Sequence, residues 1–496
     1  MMKAKNILVL ILLLVFTAIT GCKKFLDINP KGLDIIRTTE QYNGLFNNAM
    51  LFSYSNFRTS SSGSTAILGS AEMPVFMSDD VVATLPRLNA IIESQQNAFK
   101  WQDDIYMPSE ESNDWGVFYA QMYVYNKVIE GVMSSEGGTE QKKKELLAEG
   151  RANRAFNYLI FSNYFGQPYR ASTAATDLCV PLVTDPDATA SNFTRATVKE
   201  VYDFIINDLV LAIPDLQSNV YSRVRMSKPA AQYILGQTYF FMGDYSNALT
   251  YLSLAKNGLA GSATTIALYD YNTTMSTWVN PSTPHKGASG HPLQYNSTEV
   301  IFLKQLTYGI QNLNQSTLFI KPSVYALFSP ADQRLKMFYN RDFSTGLNKL
   351  YYLNGPADSV FCYTRNSTGS VNWGPGLPNL YLMLAECKAR TNDLNGAKAE
   401  LETLRTKRMP AADAIVPITT QDAMVRFVLA ERHREYACTG MRWFDMRRLW
   451  DDPIYNNTID PLHRIDASSF ILKRERLTLR IPPQIKAYSP GMPDNP

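Results

Sequence analysis

Apolar residues recur at three- and four-residue steps along most of this chain, and that rhythm predicts long amphipathic helices. The first, TTEQYNGLFNNAMLF, begins at Thr38, a cap with Glu40 following it. Residues 53–70 are rich in Ser and Gly and read as loop. From near Asp114, WGVFYAQMYVYNKVIEGV sets Phe118, Met122, Tyr125 and Ile129 on one side. Residues 142–169 continue the pattern with Leu146, Leu147, Ala155, Leu159 and Phe165; Ala152 permits close approach, and Gly166 and Pro168 stop the helix. TRATVKEVYDFIINDLVLAI starts from Thr194 as cap and runs to Pro214. In SKPAAQYILGQTYFFMGDYSNALTYLSLAKNG, Ser227 caps and Pro229 occupies the first turn, where its missing N–H leaves no helical bond unmade. TTQDAMVRFVLAERHREYA is the last long helix before GMRWFDMRRLW, and beyond Trp450 the chain reads as mostly loop.

Two of these stretches carry a repeat. Counting from the residue after Lys228, Leu235 falls at position 7, Gly236 at 8, Tyr239 at 11, Ala248 at 20 and Ala255 at 27. These are the tetratricopeptide positions, where small residues let two helices approach and larger ones fill between them. LPNLYLMLAECKARTNDLNGAKAELETLRTKR repeats the spacing with Tyr381 at 4, Leu384 at 7, Ala385 at 8, Ala397 at 20 and Leu404 at 27, but Lys388 replaces the aromatic at 11. Each copy has a short turn, Gly243-Asp244 or Asn392-Asp393, so helix pairs are expected. Residues 258–375 break the rhythm. They are rich in Asn, Thr, Ser, Gly and Pro, with strand-like runs at 299–305, 349–353 and 359–365. A long irregular insertion of this kind between helix pairs is usually functional.

The amino end changes the compartment. Lys3 and Lys5 precede an uncharged run, residues 7–19, which suits a secretory h-region and is too short to span roughly 30 Å of hydrocarbon. Ile19-Thr20-Gly21-Cys22 resembles the lipobox of bacterial lipoproteins, which implies loss of residues 1–21 and acylation of Cys22; an ordinary signal peptide cleaved nearby is the other reading. The formal charge is +3, or +1 without the first 21 residues. No basic stripe follows, so nucleic acid is not an expected partner. Cys179, Cys362, Cys387 and Cys438 lack metal-like spacing, the four His are scattered, and Cys387 and Cys438 read as buried small residues. Asp103-Asp104 and Glu110-Glu111 offer oxygen ligands to a hard cation such as calcium, but adjacent carboxylates diverge on a helix, so no metal or cofactor is assigned.

Several blocks together resemble the SusD/RagB family of surface lipoproteins from Bacteroidetes-type bacteria. LAERHREYACTGMRWFDMRRLW, residues 429–450, looks like that family's Glu-Arg-x-x-Glu-x-x-x-x-Gly-x-Arg-Trp-x-Asp-x-x-Arg run. CKKFLDINP, LLAEGRANRAFNYLIFSNYFGQPY, TRATVKEVYDFIINDL, YLMLAE and the closing IPPQIKAYSPGMPDNP keep the family's order over nearly the full mature length. Cys438-Thr439 stand where Phe-Glu is expected. The resemblance implies a mainly α fold of tetratricopeptide-like helix pairs supporting a less regular ligand-facing part. It also implies a non-enzymatic receptor in the outer membrane, binding oligosaccharide or peptide and passing it to a SusC-like TonB-dependent transporter. The chain then divides into a signal peptide (1–21), a lipid-anchored tether (22–37), a helical part (38–257), the irregular insertion (258–375), a second helix pair with the family helix block (376–450) and C-terminal loops (451–496).

Chemistry is read against that expectation. Glu431 and Glu435 share a helix face, but Arg432, Arg434 and Arg442 crowd them and would hold both ionised, the wrong state for a general acid. An ion network is the reading, with Trp443 and Phe444 as packing anchors. No Gly-rich phosphate loop, Gly-x-Ser-x-Gly elbow or His-Glu-x-x-His run occurs. Sugars offer C–H faces to aromatic rings and hydroxyls to polar groups, so ligand candidates are Trp278, Tyr295 and Tyr308 in the insertion, each otherwise a core residue. The resemblance implies that Asp79 and Asp80 lie near a position where the family often keeps polar residues close to the ligand, which makes them polar candidates; otherwise they are capping or turn residues. A tetratricopeptide-type interaction scaffold and a lipoprotein hydrolase are the competing functions. The expected anchor is checked by metabolic labelling with a radioactive fatty acid: wild type carries label and Cys22→Ser carries none.

Overall fold

Several helices start at a side chain that accepts an otherwise unbonded amide. In the computed structural model, α1 (Thr39–Leu45) follows Thr38, which accepts from the Gln41 N–H while the Gln41 side chain returns to the Thr38 amide. Gln41, rather than Glu40, completes that box. α2 (Asn113–Gly131) precedes α3 (Glu140–Phe165), capped by Thr139. α4 (Val198–Ala212) starts later than expected: Thr197 is the cap, not Thr194, because Glu200 three residues on closes a second box. α5 (Lys228–Met242) has Ser227 and Pro229 in the expected roles. α6 (Tyr245–Gly258), α7 (Tyr271–Trp278), α8 (Leu377–Arg390), α9 (Leu394–Arg405), α10 (Gln421–Tyr436), α11 (Met441–Leu449) and α12 (Pro483–Tyr488) follow. The structure describes residues 36–59, 65–187, 189–282, 287–307, 317–339, 349–350, 360–361, 364–365, 370–465 and 468–496; the expected signal peptide (1–21), Cys22, Tyr308 and the expected strand positions 351–353, 359 and 362–363 lie outside them.

The fold is mainly α-helical, with helix pairs and short strands. α5 turns into α6 at Gly243, φ +78°, and α8 into α9 at Asn392, φ +65°. Asp244 and Asp393 then accept the amides of Asn247 and Gly396. A Cβ on Gly236 would stand 2.7 Å from Leu252 Cγ and 3.0 Å from its backbone N, so only glycine allows this approach of α5 to α6. Tyr239 stacks on Tyr251 at 5.7 Å. In the second pair Lys388, where a ring was expected, sends Nζ to Glu400 at 2.7 Å; Lys256 of α6 reaches the same carboxylate at 2.6 Å and ties the pairs together. Earlier in the chain, Arg154 of α3 joins Asp208 of α4 at 2.8 Å and Asn126 of α2 at 2.9 Å.

Strands are short, some in local hairpins and others paired with partners distant in sequence. Ser55–Thr59 pairs with Thr65–Ser70 inside the stretch expected as loop, and the adjoining Tyr54 amide donates to Gln305. Of the expected strand at 299–305 only Gln305 is in a strand, Gln305–Thr307, paired with Ser370–Asn372. Val300 to Leu303 are buried, but their amides go singly to Ser297, Pro375 and Arg223 carbonyls, so no ladder forms. Lys349–Leu350 pairs with Val360–Phe361, and Phe338–Tyr339 with Thr364–Arg365. The insertion also holds α7, and the C-terminal region holds a hairpin, Leu462–Ile465 with Ser468–Ile471, neither expected from periodicity.

One apolar cluster runs from Tyr54 to Met492 and takes in every long helix pair. The insertion has its own, with Tyr271, Met275, Ile320, Val324, Phe328 and Phe338, meeting the body at Ala437. Lys304 also ties it down, its buried Nζ donating to Gln121 at 2.8 Å and the Tyr125 hydroxyl at 2.7 Å. Among the described residues no helix is long and apolar enough to cross a membrane. Gly236→Val should lower stability by about 1–3 kcal/mol through overpacking, more than the few tenths gained by removing a mid-helix glycine. Urea unfolding checks this; an unchanged midpoint would mean the helices do not pack so closely.

Candidate functional site

The insertion meets the body over a buried ion network. Glu431 of α10 accepts from Arg334 of the insertion at 2.6 Å, Arg405 of α9 at 2.6 Å and Arg434 at 2.5 Å. One turn on, Glu435 accepts from Arg334 at 2.9 Å and from Arg408 at 2.8 Å. Arg408, fully buried, also reaches Glu299 at 2.9 Å and stands 4.1 Å over the Tyr271 ring. Burial alone would raise the Glu431 pKa, but Arg334, Arg434 and Arg405 outweigh it and hold the carboxyl below the usual carboxylate range. Burial raises that of Glu299 despite Arg408. These carboxylates are engaged as scaffold, with α11 continuing the pattern: Arg432 and Arg448 flank Asp445 at 3.1 and 2.8 Å.

On this network rests a cavity of about 130 Å³. The insertion contributes Tyr269, Tyr271, Trp278, His291, Glu299 and Asn372; α10 and its following turn contribute Glu435, Tyr436 and Thr439. Trp278 is edge-on to Tyr269 at 5.1 Å and to Tyr271 at 5.4 Å, so three rings form one angled wall. Asp270 caps α7 and pairs with Lys407 at 3.1 Å, fixing Trp278 at the far end of that helix. Tyr269 is fixed from both sides: its amide donates to Glu299 at 3.0 Å and its carbonyl accepts from Arg408 at 3.1 Å. Rings beside polar groups suit a ligand with C–H faces and hydroxyls.

Of the residues singled out by sequence, Trp278 lines the cavity, and Tyr295, 53% exposed, follows Gln294, which also lines it. Asp79 and Asp80 do not reach it; they are 1% and 0% exposed. Asp79 receives two Arg442 hydrogen bonds, at 2.7 and 2.9 Å, and the Asp460 amide. Burial would raise its pKa, but Arg442 pulls it to about 2. Asp80 accepts the Cys438 amide at 2.8 Å and so holds the turn after α10, where Cys438 has φ +59° and Gly440 φ +80°. Burial first, and the Asp79 charge second, push Asp80 up to about 7. Asp103 and Asp104 pair with Arg476 and Arg480, and Glu110 accepts from Ser94. Among the described residues no group of three His, Cys, Asp or Glu could hold a metal ion. Sequence reasoning missed Tyr269, Tyr271, His291 and Asn372; the Tyr269-Asp270-Tyr271 run, with the capping Asp270 between two rings, was the available signal.

The fold and the cavity define a helical scaffold presenting an irregular, aromatic-walled face. A family model described as "Starch-binding associating with outer membrane" matches residues 61–240, and the "SusD family" model matches residues 351–475. The chain belongs to the SusD/RagB family. Among solved structures it is similar to a SusD superfamily protein from Bacteroides fragilis, with a TM-score of 0.67, 18% identity, and 92% of this chain and 100% of that one covered. It is likewise similar to a SusD superfamily protein from Bacteroides thetaiotaomicron, with a TM-score of 0.66, 16% identity and coverage of 92% and 100%. A SusD-like carbohydrate binding protein from Bacteroides vulgatus gives a TM-score of 0.62, 16% identity and coverage of 92% and 98%. No curated protein sequence matches the chain.

Asp80 supplies a pH test. Its folded carboxyl titrates above the unfolded value near 4, so the protonated form favours folding; that contribution is complete below about pH 4 and is lost as pH climbs through about 7. Asp80→Asn, neutral throughout, should gain on wild type by on the order of 1–3 kcal/mol between pH 5 and 8. Paired urea unfolding at the two pH values reads the difference, and a gap that does not change with pH contradicts the assignment.

Proposed function

We propose that this protein is a non-enzymatic receptor, anchored to the outer membrane through acylated Cys22, that binds an oligosaccharide and delivers it to a SusC-like TonB-dependent transporter. The observation that carries this reading is the angled wall of Trp278, Tyr269 and Tyr271 where the insertion meets α10. Rings set this way accept the C–H faces of a sugar chain, while Gln294 and Ser297 at the same cavity offer hydroxyl partners. A structurally similar protein from Bacteroides vulgatus is named as carbohydrate binding, and one matched family model is described as starch-binding and associating with the outer membrane. Tyr295 and Tyr308, the other two aromatic candidates of the insertion, are kept as ligand contacts in this reading. Asp80 acts from beneath by holding the turn that carries Thr439, and Asp79 by holding Arg442 at the start of α11. A peptide is the alternative ligand.

The helix pairs are read as tetratricopeptide-like repeats that give the binding face a rigid back. Delivery then follows from tethering: a lipid anchor confines the receptor to the membrane plane and raises its effective concentration beside the channel. Calorimetry of the full mature chain against maltoheptaose, other glucan and mannan oligosaccharides, and short peptides tests the ligand. Heat is expected with a glycan, and Trp278→Ala should weaken it by about tenfold, the loss of one stacked ring. Tagged protein recovered from membranes should bring an outer-membrane channel with it. No heat from any glycan or peptide would overturn the receptor reading, and heat from peptides alone would replace the sugar.

A further inference from the structure

A second cavity, of about 270 Å³, lies between α2, residues 181–193 and residues 485–492, apart from the site above. Trp115, Tyr119, Met122, Phe193, Ile485 and Met492 wall it. Its inner polar side chains, Tyr119 and Asn126, are already engaged. The Tyr119 hydroxyl donates to the Pro181 carbonyl at 2.9 Å. Asn126 donates to the Val183 carbonyl at 2.8 Å and accepts from Arg154 at 2.9 Å. A sugar entering here would leave hydroxyls without partners, whereas an aliphatic or aromatic group would lose nothing.

The rim has the opposite character. Tyr123 is 40% and Tyr488 76% exposed, and both line the opening. Asp185 and Asp187 stand beside them, both exposed, with no ion pair recorded for either among the described residues. Asp187 is kept ionised by hydrogen bonds from the Thr189 hydroxyl and amide, at 2.7 and 2.8 Å. The cation beneath, Arg154, is taken by Asp208 through two hydrogen bonds, at 2.8 and 3.0 Å, and does not neutralise the rim. An apolar hole under a negative, aromatic mouth is complementary to an apolar group with a positive charge close by.

We propose that this cavity docks a segment of a partner protein, which inserts one aliphatic or aromatic side chain and lays a neighbouring Lys or Arg against Asp185 and Asp187. In protein interfaces a few buried anchors carry most of the energy, while charges at the rim steer and select the partner. The interaction is separate from ligand capture at Trp278 and does not depend on it.

Three probes test it on the full mature chain at low salt: the capped peptides Lys-Phe-Lys and Glu-Phe-Glu, and maltotriose. Titration followed by calorimetry should show the basic peptide binding about tenfold or more tighter than the acidic one. Added salt should shrink that preference. The double variant Asp185→Lys/Asp187→Lys, at exposed positions that leave the core untouched, should abolish it, while Trp278→Ala should leave it intact. The proposal is overturned by equal affinity for the two peptides, or by no binding of the basic peptide at millimolar concentration. It is also overturned if maltotriose displaces that peptide, which makes the cavity a sugar subsite, or if self-association of the protein displaces it, which makes a second copy the occupant.

Discussion

The structure depends on the carboxylates of Glu431 and Glu435 being shared among arginines that come from three parts of the chain. Arg334 belongs to the insertion, Arg405 and Arg408 to the end of α9 and the residues after it, and Arg434 to α10 itself. Taking these ions out of water is costly, and their attraction offsets the cost only when geometry is close and lone pairs are filled. Here Glu431 takes three guanidinium groups within 2.6 Å. Removing one partner from such a set leaves uncompensated charge, typically costing about 3–5 kcal/mol, whereas the intact set adds little net stability over an apolar core. Its value is positional. An apolar contact would let the insertion slide on α10; forked hydrogen bonds at fixed angles do not.

That fixity passes directly into the cavity. Glu435 is both a member of the network and part of the cavity wall, and Arg408 lies under Tyr271 while bonding Glu299 and the Tyr269 carbonyl. The rings are therefore set by charged groups behind them. The turn at Cys438–Gly440 is held in the same manner from the other side. Asp80 takes the Cys438 amide, and Trp373 donates to the Thr439 carbonyl at 2.9 Å. Gly440 has φ +80° with Trp373 and Val75 each 3.0 Å from where a Cβ would sit, so a side chain there is excluded by both conformation and space.

Local chemistry was legible in the sequence and distant pairing was not. Ser227, Pro229 and the small residues Gly236 and Ala248 announce a helix pair because caps and close approach are set by residues a few positions apart. The Asp445–Arg448 ion pair is of the same short-range kind, three residues apart on one helix. By contrast, of the three arginines expected around Glu431 and Glu435 only Arg434 pairs there: Arg432 goes to Asp445, Arg442 goes to Asp79, 363 positions earlier, and Arg334 meets Glu431 across 97. Nothing in a periodicity reports such partners. The hairpin at Ser55–Thr59 and Thr65–Ser70 was misread for the same reason: its Ser and Gly content suits a loop, and pairing with Gln305 beside it comes from elsewhere in the chain. At the site, Trp278 could be chosen by type, but Tyr269 and Tyr271 become wall residues only because Asp270 caps α7 between them.

On the two proposals made above, the two cavities would separate two kinds of recognition. Both are walled by aromatic rings, so ring content does not distinguish them. What differs is the state of the polar groups beside the rings. Around Trp278 the buried charges are balanced within the network, and side chains such as Ser297 and Gln294 border the space. Around Trp115 the inner polar groups are spent on neighbouring carbonyls and Arg154, and the charge is left outside at Asp185 and Asp187. A hydroxyl-rich chain is favoured where polar partners line the space, and an apolar anchor where they do not. Cargo and partner can then bind the same receptor without competing, because each would leave unmet hydrogen bonds or stranded charge in the other's cavity.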